Sequence, residues 1–429
     1  MRIFKFGGAS VKDAAGVQNL VKVLRHQGIE NTTLVVSAMG KTTNAMEEVV
    51  SSYLKAKTSK QPTQEVVTKA LAPSRAFHQQ IVKELFNGES SDVMVQVNLL
   101  FDEISGFLAW NKSLKKAFVY DQIVGYGELL STTIISAYLT KEKIDNQWID
   151  VRELIKTDQN YRDAKVNWTL TEQQIQQHIG QKQNTLFITQ GFLGSDQHNF
   201  TTTLGREGSD YTAAILAYAL NADAVSIWKD VPGVLNADPR YFEQTELLNQ
   251  ISYREAIELA FYGATVIHPK TLQPLQRKSI PLIVRSFSDL DNPGTKVSHG
   301  LTLDPMTPCY ILKRNQVLLQ LATQDFSFMV EEHFSALFKL FAKHRLKVDL
   351  IQNSAISFSV CLDNRFEGFQ QLLPDLEQEF KVEYQQDVLL YTIRHANEDS
   401  TKTVLQKNDK VLVEQRNGET LQLVVKQEA

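Results

Sequence analysis

Short apolar runs alternate with helical periodicity over the first three hundred residues. Arg2–Phe6 reads as an apolar strand. Ser10-Val11-Lys12-Asp13 has capping-box form, and Val17, Leu20, Val21 and Leu24 then recur at helical spacing. Thr33–Ala38 has the continuous apolar character of a buried parallel strand and ends in the polar loop Gly40–Asn44. Residues 46–118 carry long helical patterns, which we read as a helical excursion from a sheet. Gly125-Tyr126-Gly127-Glu128 leads into a helix over 129–140. Thr185–Thr189, Ala224–Trp228 and Ile280–Ser286 read as further strands, and Tyr211–Leu220 as a helix apolar nearly all round. Strands followed by glycine turns and helices predict an α/β unit with a mainly parallel sheet. In such sheets ligands sit beyond the carboxyl ends of the strands.

The pattern changes after Asp291-Asn292-Pro293-Gly294 and Asp304-Pro305, so a linker is expected at 299–309. Beyond it, Gln316–Ala322 reads as a strand and Met329–His344 as an amphipathic helix. Val348–Gln352 and Ser357–Leu362 read as strands, Phe366–Phe380 as a helix and Val388–Ile393 as a strand. That order, βαββαβ, is a ferredoxin-like module over 310–395. Residues 396–429 alternate as strands (Lys410–Glu414, Leu421–Val425) without helical period. They are too short for a second full module.

Composition narrows the function. The 429 residues are 43% hydrophobic and 22% charged, an ordinary globular balance. Lys plus Arg is 45 against 49 for Asp plus Glu, which argues against a nucleic-acid or anionic-membrane partner. The two cysteines, Cys309 and Cys361, form no metal spacing and suggest no disulfide framework, so a reducing, cytoplasmic setting is expected. We identify no signal-peptide pattern and no apolar run approaching the roughly 20 residues of a bilayer span.

Two segments carry the candidate chemistry. Lys5-Phe6-Gly7-Gly8-Ala9-Ser10 follows the first strand, and Thr203-Leu204-Gly205-Arg206-Glu207-Gly208-Ser209-Asp210 precedes the apolar helix. Each is a glycine turn at a helix start, which offers backbone N–H groups and a positive dipole end to phosphate. Lys5 and Arg206 add positive charge, and Asp210 adds an anchor for a metal or an ammonium group. Phosphoryl transfer to a small molecule is the chemistry this combination suggests. Lys5 precedes the glycines and no Gly-Lys-Ser/Thr follows, so this is not a P-loop.

With these residues in hand, the chain resembles aspartate kinases of the amino-acid kinase superfamily that carry C-terminal ACT domains. The matching blocks are Lys-Phe-Gly-Gly at 5–8, Gly-Glu-Leu-x-Ser-Thr at 127–132 and Thr-Thr-Thr-Leu-Gly-Arg-x-Gly-Ser-Asp at 201–210. They continue with Asp-Val-Pro-Gly at 230–233, Asp-Pro-Arg at 238–240 and Gly-Ala-x-Val-Ile-His-Pro at 263–269. The resemblance implies a carbamate-kinase-like three-layer α/β sandwich over 1–298 and an ACT domain over 310–395, followed by a reduced second unit. It implies a monofunctional enzyme, since no homoserine dehydrogenase extension is seen, that uses ATP with Mg²⁺ to phosphorylate L-aspartate. Lys5 and Asp210 are then the expected catalytic residues, with no protein-held metal. Ser37, Thr43, Glu128, Arg206 and Ser209 are expected at the substrate, Glu128 as the anion for its ammonium and Arg206 as the fork for its α-carboxylate. Lys5, Gly7, Gly8, Lys229, Asp230 and Arg240 are expected at the nucleotide. Asp349, Asn353 and Ser354 match the loop that binds an amino-acid effector, lysine or threonine, and the ACT region implies a homodimer or higher homo-oligomer.

Four positions depart from the family pattern. Ala9 stands where Thr is usual, and Glu207 replaces a small residue, to face solvent or to hold Mg²⁺. Thr265 stands where many members place a lysine that reaches ATP, a gap Lys270 or Lys229 would have to fill. Ala355 replaces a Glu of lysine-sensing relatives. Two rival readings remain: an inactive amino-acid sensor with this fold, and a kinase of another amino acid such as glutamate.

Overall fold

The computed structural model describes residues 1–88, 91–182, 184–264, 267–325, 327–364, 368–406 and 410–426. The chain forms two compact units: Met1–Val234 with Asn249–Tyr253 and Ile267–Thr302, and Leu235–Leu248 with Arg254–Val266 and Leu303–Ala429.

Among the described residues the first unit is built on ten strands: β1 (Arg2–Phe6), β2 (Thr32–Val36), β3 (Gln147–Ile149), β4 (Phe187–Gln190), β5 (Leu193–Ser195), β6 (Thr201–Thr203), β7 (Ala224–Lys229), β8 (Gln250–Ser252), β9 (Leu282–Ser286) and β10 (Thr295–Ser298). Eight of them make one sheet in the order β3-β4-β2-β1-β7-β9-β10-β8, while β5 and β6 form a separate ribbon. Within the large sheet every pairing is parallel except β9 with β10. Along β1 the side chains alternate. Phe4 and Phe6 join a core shared with α1 (Ala14–Gln27), α2 (Thr42–Thr58), α3 (Thr63–Phe86), α4 (Ser91–Trp110), α5 (Lys116–Val124) and α6 (Tyr126–Lys141). Lys5 therefore points to the opposite face. There α7 (Val151–Leu154), α8 (Trp168–Ile175) and α9 (Gly208–Leu220) follow in the chain, and α9 packs on β1 and β7. Helix layers on both faces of a mainly parallel sheet give the expected three-layer sandwich.

Local differences from the sequence reading have simple causes. The first helix is capped by Asp13, whose carboxylate accepts the Gly16 N–H at 2.8 Å, and not by Ser10. Ser10 instead donates its hydroxyl proton to the Trp228 carbonyl at 3.0 Å, tying the glycine turn to β7. Contrary to the expectation of no such run, Asp92–Trp110 is long and apolar enough to cross a membrane by length and composition. In this fold its Val97, Phe101, Ile104 and Leu108 are buried in the helical core, so the apolar row serves packing.

The second unit takes in α10 (Tyr253–Tyr262) beyond its first residue, while α11 (Pro269–Arg277) belongs to the first. It continues with β11 (Cys309–Thr323), α12 (Glu331–Lys343), β12 (Lys347–Asn353), β13 (Ser357–Asp363), α13 (Phe369–Glu377) and β14 (Phe380–Arg394), the βαββαβ order expected. Then come α14 (Glu398–Leu405), β15 (Val411–Asn417) and β16 (Thr420–Lys426). The strands form one antiparallel sheet in the order β12-β13-β11-β14-β16-β15.

Two features were missed from the sequence. Residues 398–405 are helical, with an Asn397–Ser400 capping pair and a single buried apolar position, Val404, too little for a visible period. The segments 235–248 and 254–266, expected in the kinase domain, belong to the second unit. Ala237 and Phe242 share a core with Leu389, Tyr391, Ile393, Leu421, Leu423 and Val425. Glu255 takes the Arg394 guanidinium at 2.7 and 3.1 Å.

Candidate active site

The three central strands β2, β1 and β7 run parallel, so their carboxyl ends open on one edge of the sheet. Gly7 and Gly8 follow β1, Ser37 and Ala38 follow β2, and Lys229 closes β7. The N-terminus of α9 faces this edge. A cleft of about 580 Å³ results, lined by Lys5, Gly8, Ser37, Thr43, Glu128, Arg206, Ser209, Asp210 and Lys229 among the expected residues. Gly7 adjoins it, since a Cβ there would sit 3.5 Å from the Lys5 Nζ.

Gly8 is demanded by a close approach. A Cβ at this position would lie 2.8 Å from the Ala38 carbonyl oxygen and 3.1 Å from that of Gly40. The turn is stitched to the β2 loop by the Gly40 N–H, which donates to the Gly8 carbonyl at 3.1 Å. Such a shaped backbone hollow suits a phosphate group.

Charge is arranged around Asp210, which sits buried in the first turn of α9. Its Oδ1 lies 2.6 Å from Lys5 Nζ and its Oδ2 3.5 Å from Lys229 Nζ. Burial pushes the Asp210 carboxyl up, but Lys5 and Lys229 outweigh it and hold it below the usual carboxylate range. Glu207 precedes α9 in the left-handed conformation at φ 54°, and one buried oxygen, Oε2, has no hydrogen-bond partner among the described residues. Burial raises its carboxyl, with Lys229 the strongest opposing influence.

Glu128 lies in the first turn of α6 and is fully enclosed. Burial pushes its carboxyl up to about 8. The Ala38 N–H donates to Oε1 at 3.3 Å, whereas Oε2 has no partner among the described residues. A buried carboxylate oxygen left open toward a cleft needs a cation to complete it.

Sequence reasoning missed Tyr120, Arg162, Phe192 and Asp121. The first three line the cleft. Asp121 lies behind it, accepting the Thr203 N–H and hydroxyl at 2.8 and 2.9 Å and the Arg162 N–H at 3.0 Å. Burial raises its carboxyl to about 6. No motif flags an isolated Tyr-Asp or Tyr-Arg pair, so these had no sequence signal.

Two other expected residues are not among those that line this cleft. Asp230 is exposed and is not among the lining residues. Arg240 belongs to the second unit, exposed and paired with Asp238 at 2.5 Å. Thr265 falls outside the described residues. Of its two candidate replacements, Lys229 lines the cleft, while Lys270 is ion-paired with Asp163.

In the second unit, Asn353 ends β12 and Ser354 opens the exposed turn to β13, with its hydroxyl 2.7 Å from that of Ser357. Asp349 is not a free anion there: its buried Oδ1 lies 2.8 Å from Lys313 Nζ and 3.3 Å from Lys347 Nζ. Asp349 falls at a register shift in β12, between Val348 and Leu350, and the long side chain of Lys313 reaches it from β11, a pairing no local motif foretells.

The family model that describes the amino acid kinase family matches residues 1–286. The chain belongs to the amino acid kinase family. Among curated members of that family, it is 40% identical over 245 residues to the lysine-sensitive aspartokinase 3 of Escherichia coli, covering 57% of this chain and 54% of that one. It is 26% identical to the chloroplastic aspartokinase 3 of Arabidopsis thaliana, covering 98% and 76%. The chain thus spans about half of the first of these relatives. The crystal structure of E. coli aspartokinase III in complex with lysine and aspartate superimposes with a TM-score of 0.80 at 28% identity, covering 99% of this chain and 96% of that one. The same enzyme in complex with aspartate and ADP gives a TM-score of 0.79 at 28% identity, with the same coverage.

Proposed function

We propose that this member of the family is an aspartate kinase, transferring the γ-phosphate of ATP to the side-chain carboxylate of L-aspartate to give ADP and 4-phospho-L-aspartate. One observation carries the reading. The cleft joins a backbone phosphate hollow and two lysines to an exposed arginine and a buried, half-satisfied glutamate. That is the complement of a nucleotide and an amino dicarboxylic acid. The likeness to an aspartokinase bound to aspartate and ADP supports it.

In this reading Glu128 Oε2 receives the substrate ammonium, and Arg206 grips the α-carboxylate as a bidentate fork. The side-chain carboxylate needs no general base, because it is already an anion at neutral pH. Its oxygen attacks the γ-phosphorus, and the bond from that phosphorus to the bridging oxygen breaks, leaving ADP. The transition state is loose, so catalysis is mainly positioning and charge stabilisation. Lys5 and Lys229 supply the positive charge, and Asp210 fixes both ammonium groups in place. The Gly7–Gly8 turn and the start of α9 offer N–H groups to the phosphates. Mg²⁺ would arrive on the nucleotide phosphates. Glu207, with its unpartnered buried oxygen beside Lys229, is the residue fitted to reach it.

The second unit is proposed as the regulatory module, taking lysine or threonine near Asn353 and Ser354 and assembling the chain as a homo-oligomer. The likeness to an E. coli aspartokinase III that was crystallised in complex with lysine supports this. We place the enzyme in the cytoplasm. A coupled assay of ADP release over a panel of amino acids, with and without lysine and threonine, tests the reading. Release dependent on aspartate is expected. Release on glutamate alone, or none on any amino acid, refutes it.

A further inference from the structure

Arg162 has no assigned part in the reaction just proposed, yet it lines the same cleft. Its backbone is held at φ 74°, in the left-handed region that arginine rarely adopts. The conformation is imposed from behind by buried Asp121, whose two oxygens accept the Arg162 N–H at 3.0 and 3.1 Å. Asp121 is itself anchored to β6 through Thr203. Ahead of the backbone, the guanidinium carbon stacks 4.2 Å from the Tyr120 ring centre. Among the described residues its charge meets Glu47, at a long 3.5 Å, with both side chains nearly half exposed. Strain of this kind persists where the surroundings over-determine it, and it clusters at functional sites.

The neighbouring loop says which part of a substrate Arg162 would meet. A Cβ on Gly205, which sits at φ 81°, would lie 3.2 Å from the Arg162 carbonyl oxygen and 2.6 Å from Asp163 Oδ1. The turn carrying Arg206 thus lies directly against the turn carrying Arg162. Lys5 and Lys229 are turned to Asp210. Arg162 and Arg206 both line the cleft, and neither is paired with Asp210.

We propose that Arg162 is a second carboxylate-binding residue, joining Arg206 on the substrate carboxylate that is not phosphorylated and so helping the cleft select an amino dicarboxylic acid. The inference rests on the aspartate kinase reading. In it, the exposed pair with Glu47 is exchanged for the substrate carboxylate. Tyr120 keeps the guanidinium plane oriented for that exchange, and Asp121 keeps the backbone in the strained turn that aims it.

The test is Arg162→Gly. Glycine adopts φ near 74° without steric penalty, so this variant keeps the turn while removing the side chain. It should melt no lower than the wild type. Its KM for aspartate should rise about ten-fold or more, with little change in kcat or in KM for ATP, as expected for lost ground-state binding. A substrate that lacks the second carboxylate, 3-aminopropanoate, provides the internal control. Its kcat/KM should be low in the wild type and no lower in Arg162→Gly. Arg162→Lys should recover only part of the aspartate affinity, since an ammonium cannot form the fork. An unchanged KM for aspartate overturns the proposal, as does an effect confined to ATP. A lowered melting temperature with unchanged KM assigns Arg162 to structure alone. If the wild type does not phosphorylate aspartate at all, the underlying reading fails instead, and the two failures are separate.

Discussion

Glu128 makes the proposed substrate site sensitive to pH in a range where few carboxyl groups titrate. The group is enclosed, its carboxyl is raised to about 8, and one oxygen is unpartnered. Only the ionised form can complete an ammonium group, so aspartate must capture the deprotonated minority of the free enzyme. With a midpoint near 8, that minority is about one part in eleven at pH 7 and about one part in a hundred at pH 6. Each pH unit below the midpoint thus costs about 1.4 kcal/mol of apparent affinity. The assay is kcat/KM for aspartate from pH 5.5 to 9 at saturating ATP. It should climb about nine-fold from pH 6 to 7 and about five-fold from pH 7 to 8, and level by about pH 9. Glu128→Gln should lose kcat/KM by about 100-fold at pH 8 and show no such climb. The same group acts on stability with a definite sign. Its folded pKa is raised, so its contribution is fully present below about pH 4.5 and is lost as pH rises toward 8. Glu128→Gln should therefore melt higher than the wild type at pH 8 and alike near pH 4.5. A wild-type kcat/KM that is flat between pH 6 and 8 would refute the reasoning, because it would mean Glu128 is already ionised or does not meet the ammonium.

Lys5→Ala should lower kcat by about 100-fold or more in steady-state assays while the variant stays folded, since in the proposed reaction its ammonium, held by Asp210, stabilises the charge that develops on the phosphate. His78 is buried, donates to the Ser74 carbonyl at 2.8 Å and is lowered by burial to about 4. Its folded pKa is depressed, so stability present above pH 6.5 should fall by up to about 3 kcal/mol as pH drops toward 4. Thermal melts of wild type and His78→Gln across that window check this, the variant showing the shallower loss. In the second unit, millimolar lysine or threonine should shift activity and melting temperature, and Ser354→Ala should weaken the shift. No shift with either amino acid in the wild type would leave the module to assembly alone.

Much of this molecule was readable in advance, for definable reasons. Strands β1, β2 and β7 are short and apolar and end in glycine or polar turns, so both their type and their functional edge follow from pattern. Lys5, Glu128, Arg206 and Asp210 sit in local motifs, because a phosphate hollow and a helix start need glycine and charge within a few residues of each other. Arg162 and Asp121 had no such signal. Their roles come from a left-handed turn and a buried hydrogen-bond set formed across distant segments. The pairing of Asp349 with Lys313 was hidden for the same reason, since it joins two strands through one long side chain. Helix α14 escaped because a single buried residue sets no period. The allocation of 235–248 to the second unit depends on Phe242 finding Tyr310 and Tyr391, a tertiary choice that sequence spacing does not encode.

Strands β11 and β14 each run fifteen residues and pair along their whole length, from Cys309 opposite Arg394 to Thr323 opposite Phe380. In mechanical terms they are a single beam, with β12 and β13 carried at one end and β15 and β16 at the other. A load on the turn after Asn353 is transmitted to the last strands of the chain without crossing a loop. The beam has one joint: its register slips between Lys313 and Gln316 and again before Leu318. The buried Lys313–Asp349 pair sits at that joint. It clamps the place where the two ends of the sheet could otherwise twist independently.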